Sequence, residues 1–164
     1  LKYNREVLKE MKRHYSSLFV FVLFLGCVSY ATKEDFKNLN SVVEVKAKKD
    51  FIYDKTIKWI AVSYNSPQKV MQFQDKAQGL ITFNGACQYS NNPMYSFTLE
   101  YKIVINIKDN KFKIEMTPIG WIYSGQGQTG NQFYKEMLPT FSKEFEMIKN
   151  GIKEGIEGKA STDF

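Results

Sequence analysis

Residues 50–85 read DFIYDKTIKWIAVSYNSPQKVMQFQDKAQGLITFNG, a segment whose apolar period switches from helical to extended partway along. Asp50 is placed to cap a helix, because a short side-chain oxygen can accept a free amide hydrogen of the first turn. Tyr53, Ile57, Ile60, Ala61 and Tyr64 recur at spacings of three and four, which puts them on one face. Trp59 lies at the edge of that stripe, with Lys55 and Lys58 outside it. Asn65-Ser66-Pro67 ends the helix, since Pro67 turns Ser66 away from helical angles. Beyond it Met71 and Phe73 alternate with Gln72 and Gln74, the pattern of a half-buried strand. Asp75 to Gly79 makes a turn, and Ile81 and Phe83 alternate with Thr82 and Asn84 in the next strand.

Upstream, Val43, Val45 and Ala47 alternate with Glu44 and Lys46 as a first strand. Lys46, Lys48 and Lys49 form a basic cluster, read as a solvated strand end, with a phosphate or lipid-headgroup contact as the alternative. Downstream, Gln88 to Pro93 is expected to be a loop. Tyr95, Phe97, Leu99, Tyr101, Ile103, Ile105 and Ile107 then occupy every second position, which predicts a long antiparallel strand with one buried face. Asp109-Asn110-Lys111 turns the chain into a partner strand carrying Phe112, Ile114 and Met116 and ending near Thr117-Pro118. From Asn131 the period is helical: Tyr134, Leu138, Phe141, Phe145, Ile148 and Ile152 form a stripe. Pro139 kinks that helix or marks a fresh start, and Gly151, Gly155 and Gly158 weaken its end.

The order of strand, helix, four strands and helix predicts an α+β domain. Its expected extent is residues 41–150, preceded by a polar tether at 32–40 and followed by a frayed tail at 151–164. The run Tyr53 through Lys58-Trp59-Ile60-Ala61, then Gln72-Phe73-Gln74-Asp75-Lys76 and Gly79-Leu80-Ile81, resembles a bacterial family, domain of unknown function 4468. That family is described as having a fold like the TATA-binding protein (TBP), and the likeness covers roughly residues 42–125. The resemblance implies a curved antiparallel sheet of about five strands with two helices on one face. It implies no activity, because none is assigned to the family in general.

Residues 1–31 read as an upstream extension plus a signal peptide. Met11-Lys12-Arg13-His14 is a basic head, the expected start of translation, and Leu18 to Leu25 is an apolar middle. The apolar stretch to Val28 holds eleven residues, while crossing the hydrocarbon core takes about 20. A cleaved signal is therefore expected rather than a retained anchor. Two cuts compete. Leu23-Phe24-Leu25-Gly26-Cys27 resembles a bacterial lipobox, which would make Cys27 the site of lipid attachment, although Phe24 and Leu25 are bulkier than that pattern prefers. Ser29-Tyr30-Ala31 fits an ordinary signal peptidase cutting before Thr32. The reading leans to the lipoprotein, and either cut places the product outside the cytoplasm, in the periplasm or anchored to a membrane.

Export changes the chemistry on offer. The chain carries a net charge of +6, but without residues 1–26 it keeps 18 basic and 15 acidic residues, or +3. The only histidine, His14, leaves too, and with it Ser-His-Asp chemistry and the usual zinc ligand sets. Cys87 then has no cysteine partner and reads as a small core residue. Gly125-Gln126-Gly127-Gln128-Thr129-Gly130 is a literal G-x-G-x-x-G, yet no strand-helix-strand unit surrounds it. It reads as a glycine loop before a helix, with Thr129 or Asn131 as cap. Asp54, Asp75, Glu100 and Glu115 are the carboxylates that a hydrolase would have to bring together. The expectation is an exported, non-enzymatic domain with no catalytic, cofactor-binding or metal residues. It would bind an envelope protein or a small amphipathic ligand, touch membrane only through its signal peptide or a lipid on Cys27, and bind no nucleic acid. A carboxylate-dependent hydrolase is the alternative, and nucleic-acid binding comes third.

Overall fold

The computed structural model describes residues 29–92, 95–125 and 127–158. Strand β1 spans Asn40–Glu44, and helix α1 spans Lys49–Ser63. A one-turn helix α2, Pro67–Val70, leads into β2, Met71–Asp75. Three long strands follow: β3, Leu80–Asn92; β4, Tyr95–Lys108; and β5, Lys111–Tyr123. The two-residue β6, Thr129–Gly130, and helix α3, Leu138–Glu157, complete the chain. All pairings are antiparallel, in the order β1-β5-β4-β3-β2, with β6 on β5 beyond the end of β1. The result is an α+β fold, an open sheet with both long helices on one face.

The alternation that predicted β4 sets the core. Leu99, Tyr101, Ile103, Ile105 and Ile107 are all buried, and their neighbours in register, Ile81, Phe83, Phe112, Ile114 and Met116, are buried beside them. α1 covers this face with Ile52, Tyr53, Thr56 and Ile60, while α3 adds Phe141, Phe145, Ile148, Ile152 and Ile156. On α1 the buried stripe is rotated from the expected one. Ala61 is exposed and Ile57 half-buried, whereas Ile52 and Thr56 are enclosed. Thr56 tolerates this because its hydroxyl donates to the Ile52 carbonyl at 2.8 Å.

Several boundaries differ from expectation, each for a physical reason. Asp50 does not cap α1. The helix starts one residue earlier, and its first amide, on Lys49, donates to Oδ1 of Asp109 at 2.8 Å. The cap comes from the β4–β5 turn, where Asn110 takes the left-handed conformation (φ 64°). β3 continues through residues 88–92, expected to be loop, because β4 pairs with it out to Asn92–Tyr95. β5 likewise runs past Pro118. A proline is tolerated in a strand at a bulge or on an unpaired flank, and both conditions hold here. The β4–β5 register shifts at Glu100–Tyr101, and β5 meets β1 only over Lys111–Glu115 and β6 only at Trp121 and Ile122.

The polar stretch 32–40 is folded rather than a tether. Lys33–Phe36 forms a 3-10 turn closed by Thr32 and Asp35, and Leu39 is buried. The glycine loop is a hairpin turn, with the Tyr123 amide bonded to the Gln128 carbonyl at 2.7 Å and Thr129 lying in a strand. Thr129 and Asn131 cap nothing, since α3 starts at Leu138 with Pro139 in its first turn, a fresh start without a kink. α3 then runs past residue 150 to Glu157 and stops at Gly158, whose φ of 73° supplies the left-handed cap. Gly151 does not weaken it idly: a Cβ there would lie 2.6 Å from Nε1 of Trp59, so the glycine is the seat for that indole.

Candidate binding groove

Phe73 stands where the sequence put a core residue, yet it is 51% exposed. A bulge in β2 between Met71 and Phe73 shifts the register, so Met71 faces the core opposite Phe83 while Phe73 pairs with Thr82. β2 is also an edge strand of the sheet, at the end opposite β1. Between it and the helices lies an open groove of about 540 Å³ whose walls include Ile57, Ala61, Pro67, Met71, Phe73 and Gln74. Its size falls within the usual range for ligand sites. Two larger clefts differ in character. One, about 920 Å³ near the β4–β5 turn, is walled by Glu44, Lys46, Asp109, Lys111 and Glu157, charges of both signs. The other, about 660 Å³, runs beside the N-terminal arm at Phe36, Met116, Pro118 and Phe133.

Next to the groove, three elements bring together a polar cluster that sequence reading missed. Tyr101 on β4 is fully buried, and its hydroxyl donates to Oε1 of Glu144 on α3 at 2.6 Å. The hydroxyl of Tyr64, at the end of α1, lies 3.4 Å from that of Tyr101. Tyr101 lies flat across Gly85, its partner in register, where any Cβ would fall 2.4 Å from the ring. Burial pushes the Tyr64 phenol up to about 12, against the pull of its hydrogen bond to Tyr101, and pushes Tyr101 higher still. Cys87, half-buried on the same face, is raised to about 12 by burial and secondarily by the Glu144 carboxylate. At neutral pH both phenols are neutral and the thiol is protonated, and a protonated thiol is a poor nucleophile. The cluster joins α1, α3 and the sheet through the chain of contacts Tyr64–Tyr101–Glu144.

The carboxylates singled out from the sequence do not meet. Asp54 pairs with Lys76 at 2.6 Å, Glu115 with Lys113 at 2.6 Å, and Asp75 accepts the Gln78 amide of its own turn at 2.9 Å. Glu100 and Glu115 share the open face of the sheet, but Glu115 sits opposite Val104, four residues along β4 from Glu100, or about 14 Å. Of the basic cluster, Lys49 donates to the Ala77 carbonyl at 2.8 Å, and the helix terminus beside it is filled by Asp109. No group of metal-binding side chains occurs among the described residues. Cys27 lies outside them.

Residues 34–121 match the domain of unknown function (DUF4468) with TBP-like fold. The chain is similar to a TBP-like protein from Parabacteroides distasonis ATCC 8503, with a TM-score of 0.55 and 16% identity over 74% of this chain and 91% of that one. It is also similar to a DUF4468 family protein from Bacteroides ovatus ATCC 8483, with a TM-score of 0.48 and 14% identity over 75% and 85%. The likeness to the first is one of fold and carries nothing about activity. No curated protein matches the chain.

Proposed function

The chain belongs to the DUF4468 family of domains of unknown function with a TBP-like fold, and we propose that it is a non-enzymatic binding domain of the bacterial cell envelope. Export rests on the basic head and apolar run of residues 11–28. Binding rests on the groove between α1, α2 and β2, and one observation carries it: Phe73 is turned out to solvent at the lip of an apolar groove on an edge strand of the sheet. An outermost strand offers backbone hydrogen bonds to an added strand, and a neighbouring apolar groove offers places for its side chains. The occupant is an extended apolar segment of another envelope protein. Hydrolysis by paired carboxylates is the weaker reading, because Asp54 and Glu115 are each engaged by a lysine and Asp75 by its own turn.

The test is site-specific photo-crosslinking in cells, with a benzoylphenylalanine in place of Phe73 and, as control, in place of Thr98 on the open face of the sheet. A discrete protein adduct at position 73 and none at 98 is expected, and Gln74→Pro should abolish it by removing a backbone donor. An adduct of only a few hundred daltons would assign the groove to a small amphipathic ligand instead. Equal labelling at both positions, or none at 73, would sink the reading.

A further inference from the structure

The sheet ends in β2 on one side and in β1 on the other. In an antiparallel ladder, alternate residues turn their amide and carbonyl toward the neighbouring strand. Along β1 and its flanks the Leu39 carbonyl accepts from the Met116 amide at 2.8 Å, and the Val45 amide donates to the Asn110 carbonyl at 2.9 Å. By the same alternation Ser41 and Val43 face β5, opposite Ile114 and Phe112, so Asn40, Val42 and Glu44 turn their backbone groups outward. None of these outward groups has a partner among the described residues. Natural edges are guarded by proline, lysine or a bulge. β1 has none of them: it reads NSVVE, pairs with β5 in unbroken register, and leaves Val42 58% exposed.

We propose that this edge is a self-association surface: it pairs antiparallel with the same edge of a second copy of the chain, about a two-fold axis at Val42. Self-complementarity selects that occupant. Because Asn40, Val42 and Glu44 hold the free backbone groups, the two edges fit only in registers that differ by two residues. Centred on Val42, all three are used. Val42 meets its own counterpart, Asn40 meets Glu44 of the second copy on either side, and each facing pair exchanges two backbone hydrogen bonds. The Asn40 amide then lies beside a carboxylate. A slip toward Glu44 sets that carboxylate against Val42, and a further slip sets Glu44 against Glu44, which repels. A slip the other way leaves Glu44 unpaired. The two-fold pairing closes both edges at once and so gives a dimer rather than a fibre. One sheet then runs through both copies with all the long helices on one side. β1 is only five residues long, so the interface is small and the dimer is of the weak, exchanging kind. Both β2 edges stay free at the far ends, and the proposal does not rest on the groove beside them.

The test takes the full chain through two readouts. Val42→Cys and Glu44→Cys are each treated with a short bismaleimide, and mass spectrometry of the linked peptides separates their products from those of Cys27 and Cys87. In the proposed register the two copies' Cα atoms lie about 5.5 Å apart at position 42 and about 14 Å apart at position 44. A 42–42 link with no 44–44 link is therefore expected. Sedimentation velocity over a concentration series should show a monomer–dimer equilibrium. Val42→Lys should weaken it about tenfold, because like charges then meet on the axis, where Lys113 already stands beside position 42 in each copy. Val42→Pro removes an outward amide and no bond to β5, so it should also give monomer, with an unchanged far-UV spectrum. A parent chain still monomeric at about 1 mM overturns the proposal. So does a 44–44 link as strong as the 42–42 link, or a link from position 42 to a different protein and none to a second copy.

Discussion

Replacing Gly151 by alanine should destabilise this protein, although the same change in an ordinary helix interior stabilises by about 1 kcal/mol. The new Cβ would lie 2.6 Å from Nε1, 2.9 Å from Cε2 and 3.0 Å from Cζ2 of Trp59. Non-bonded carbon atoms rest at about 3.5–4.0 Å, so the indole must move by roughly an ångström. That ring is rigid, and Tyr64 stands edge-on to it at 6.2 Å. Overpacking of this kind costs about 1–3 kcal/mol, which outweighs the helical gain and leaves a net loss of about 1 kcal/mol. Gly155, one turn on, supplies the internal control. A Cβ there would meet Trp59 at 3.9 and 4.0 Å, ordinary contact, so Gly155→Ala should gain about 1 kcal/mol. Urea unfolding followed by far-UV circular dichroism reads both, with the slope m checked for constancy. In a Trp59→Leu background the clash is gone, and Gly151→Ala should become stabilising. If the two glycine variants shift stability in the same direction by the same amount in the parent protein, the seat for Trp59 is not what keeps Gly151 small.

Ile60 and Ile103 are both fully buried, so truncation of either to alanine should cost about 2–5 kcal/mol in the same assay. Thr98→Ala, on the open face and losing one hydrogen bond from Gln88, should cost under about 1.5 kcal/mol, and equal losses at all three would contradict the face assignment. Asp109→Ala should cost about 1 kcal/mol by uncapping α1 from sixty residues away, more than Asp50→Ala, whose side chain makes no cap bond; the reverse ranking would return the cap to Asp50. The Cys87 thiol, raised from 9.0 to about 12 in the fold, contributes stability that is complete below pH 9 and lost as pH climbs toward 12. Tm measured across that window should therefore fall more steeply in the parent than in Cys87→Ala, and parallel curves would refute the shift.

How far the sequence carries the structure depends on the range of the interaction. β4 announces itself because the alternation from Tyr95 to Ile107 is written in consecutive residues, and the two-residue turn at Asp109-Asn110 is local as well. α3 is legible for the same reason, apart from its end, where three glycines looked like weakness. Their meaning depends on Trp59, ninety-two residues before Gly151 and on another helix. The cap of α1 failed in the same way, since Asp50 is the local candidate and Asp109 the real donor's partner. Pro118 was read as a stop because nothing nearby in sequence says that β5 has a gap along that flank. The turned-out Phe73 depends on a bulge of one residue, which flips a side chain without altering the pattern of residue types. Tyr64, Tyr101 and Glu144 had no motif at all: three elements bring them together.

The seating of each tryptophan against a glycine has a use in spectroscopy. Trp59 rests on Gly151 between the two long helices, while Trp121 covers Gly130 and donates from Nε1 to the Gln132 carbonyl at 3.0 Å. The chain has only these two indoles. Each emits from a different layer, one from the helix pair and the other from the short β5–β6 hairpin that leads toward α3. Substituting either by phenylalanine leaves a single indole, excited apart from the tyrosines at the red edge, whose emission colour follows the wetting of its own seat. If the hairpin loosens before the helices part, the Trp121 emission moves to the red at a lower denaturant concentration than that of Trp59. Two single-tryptophan proteins thus give two separate gauges of local opening, without an added dye.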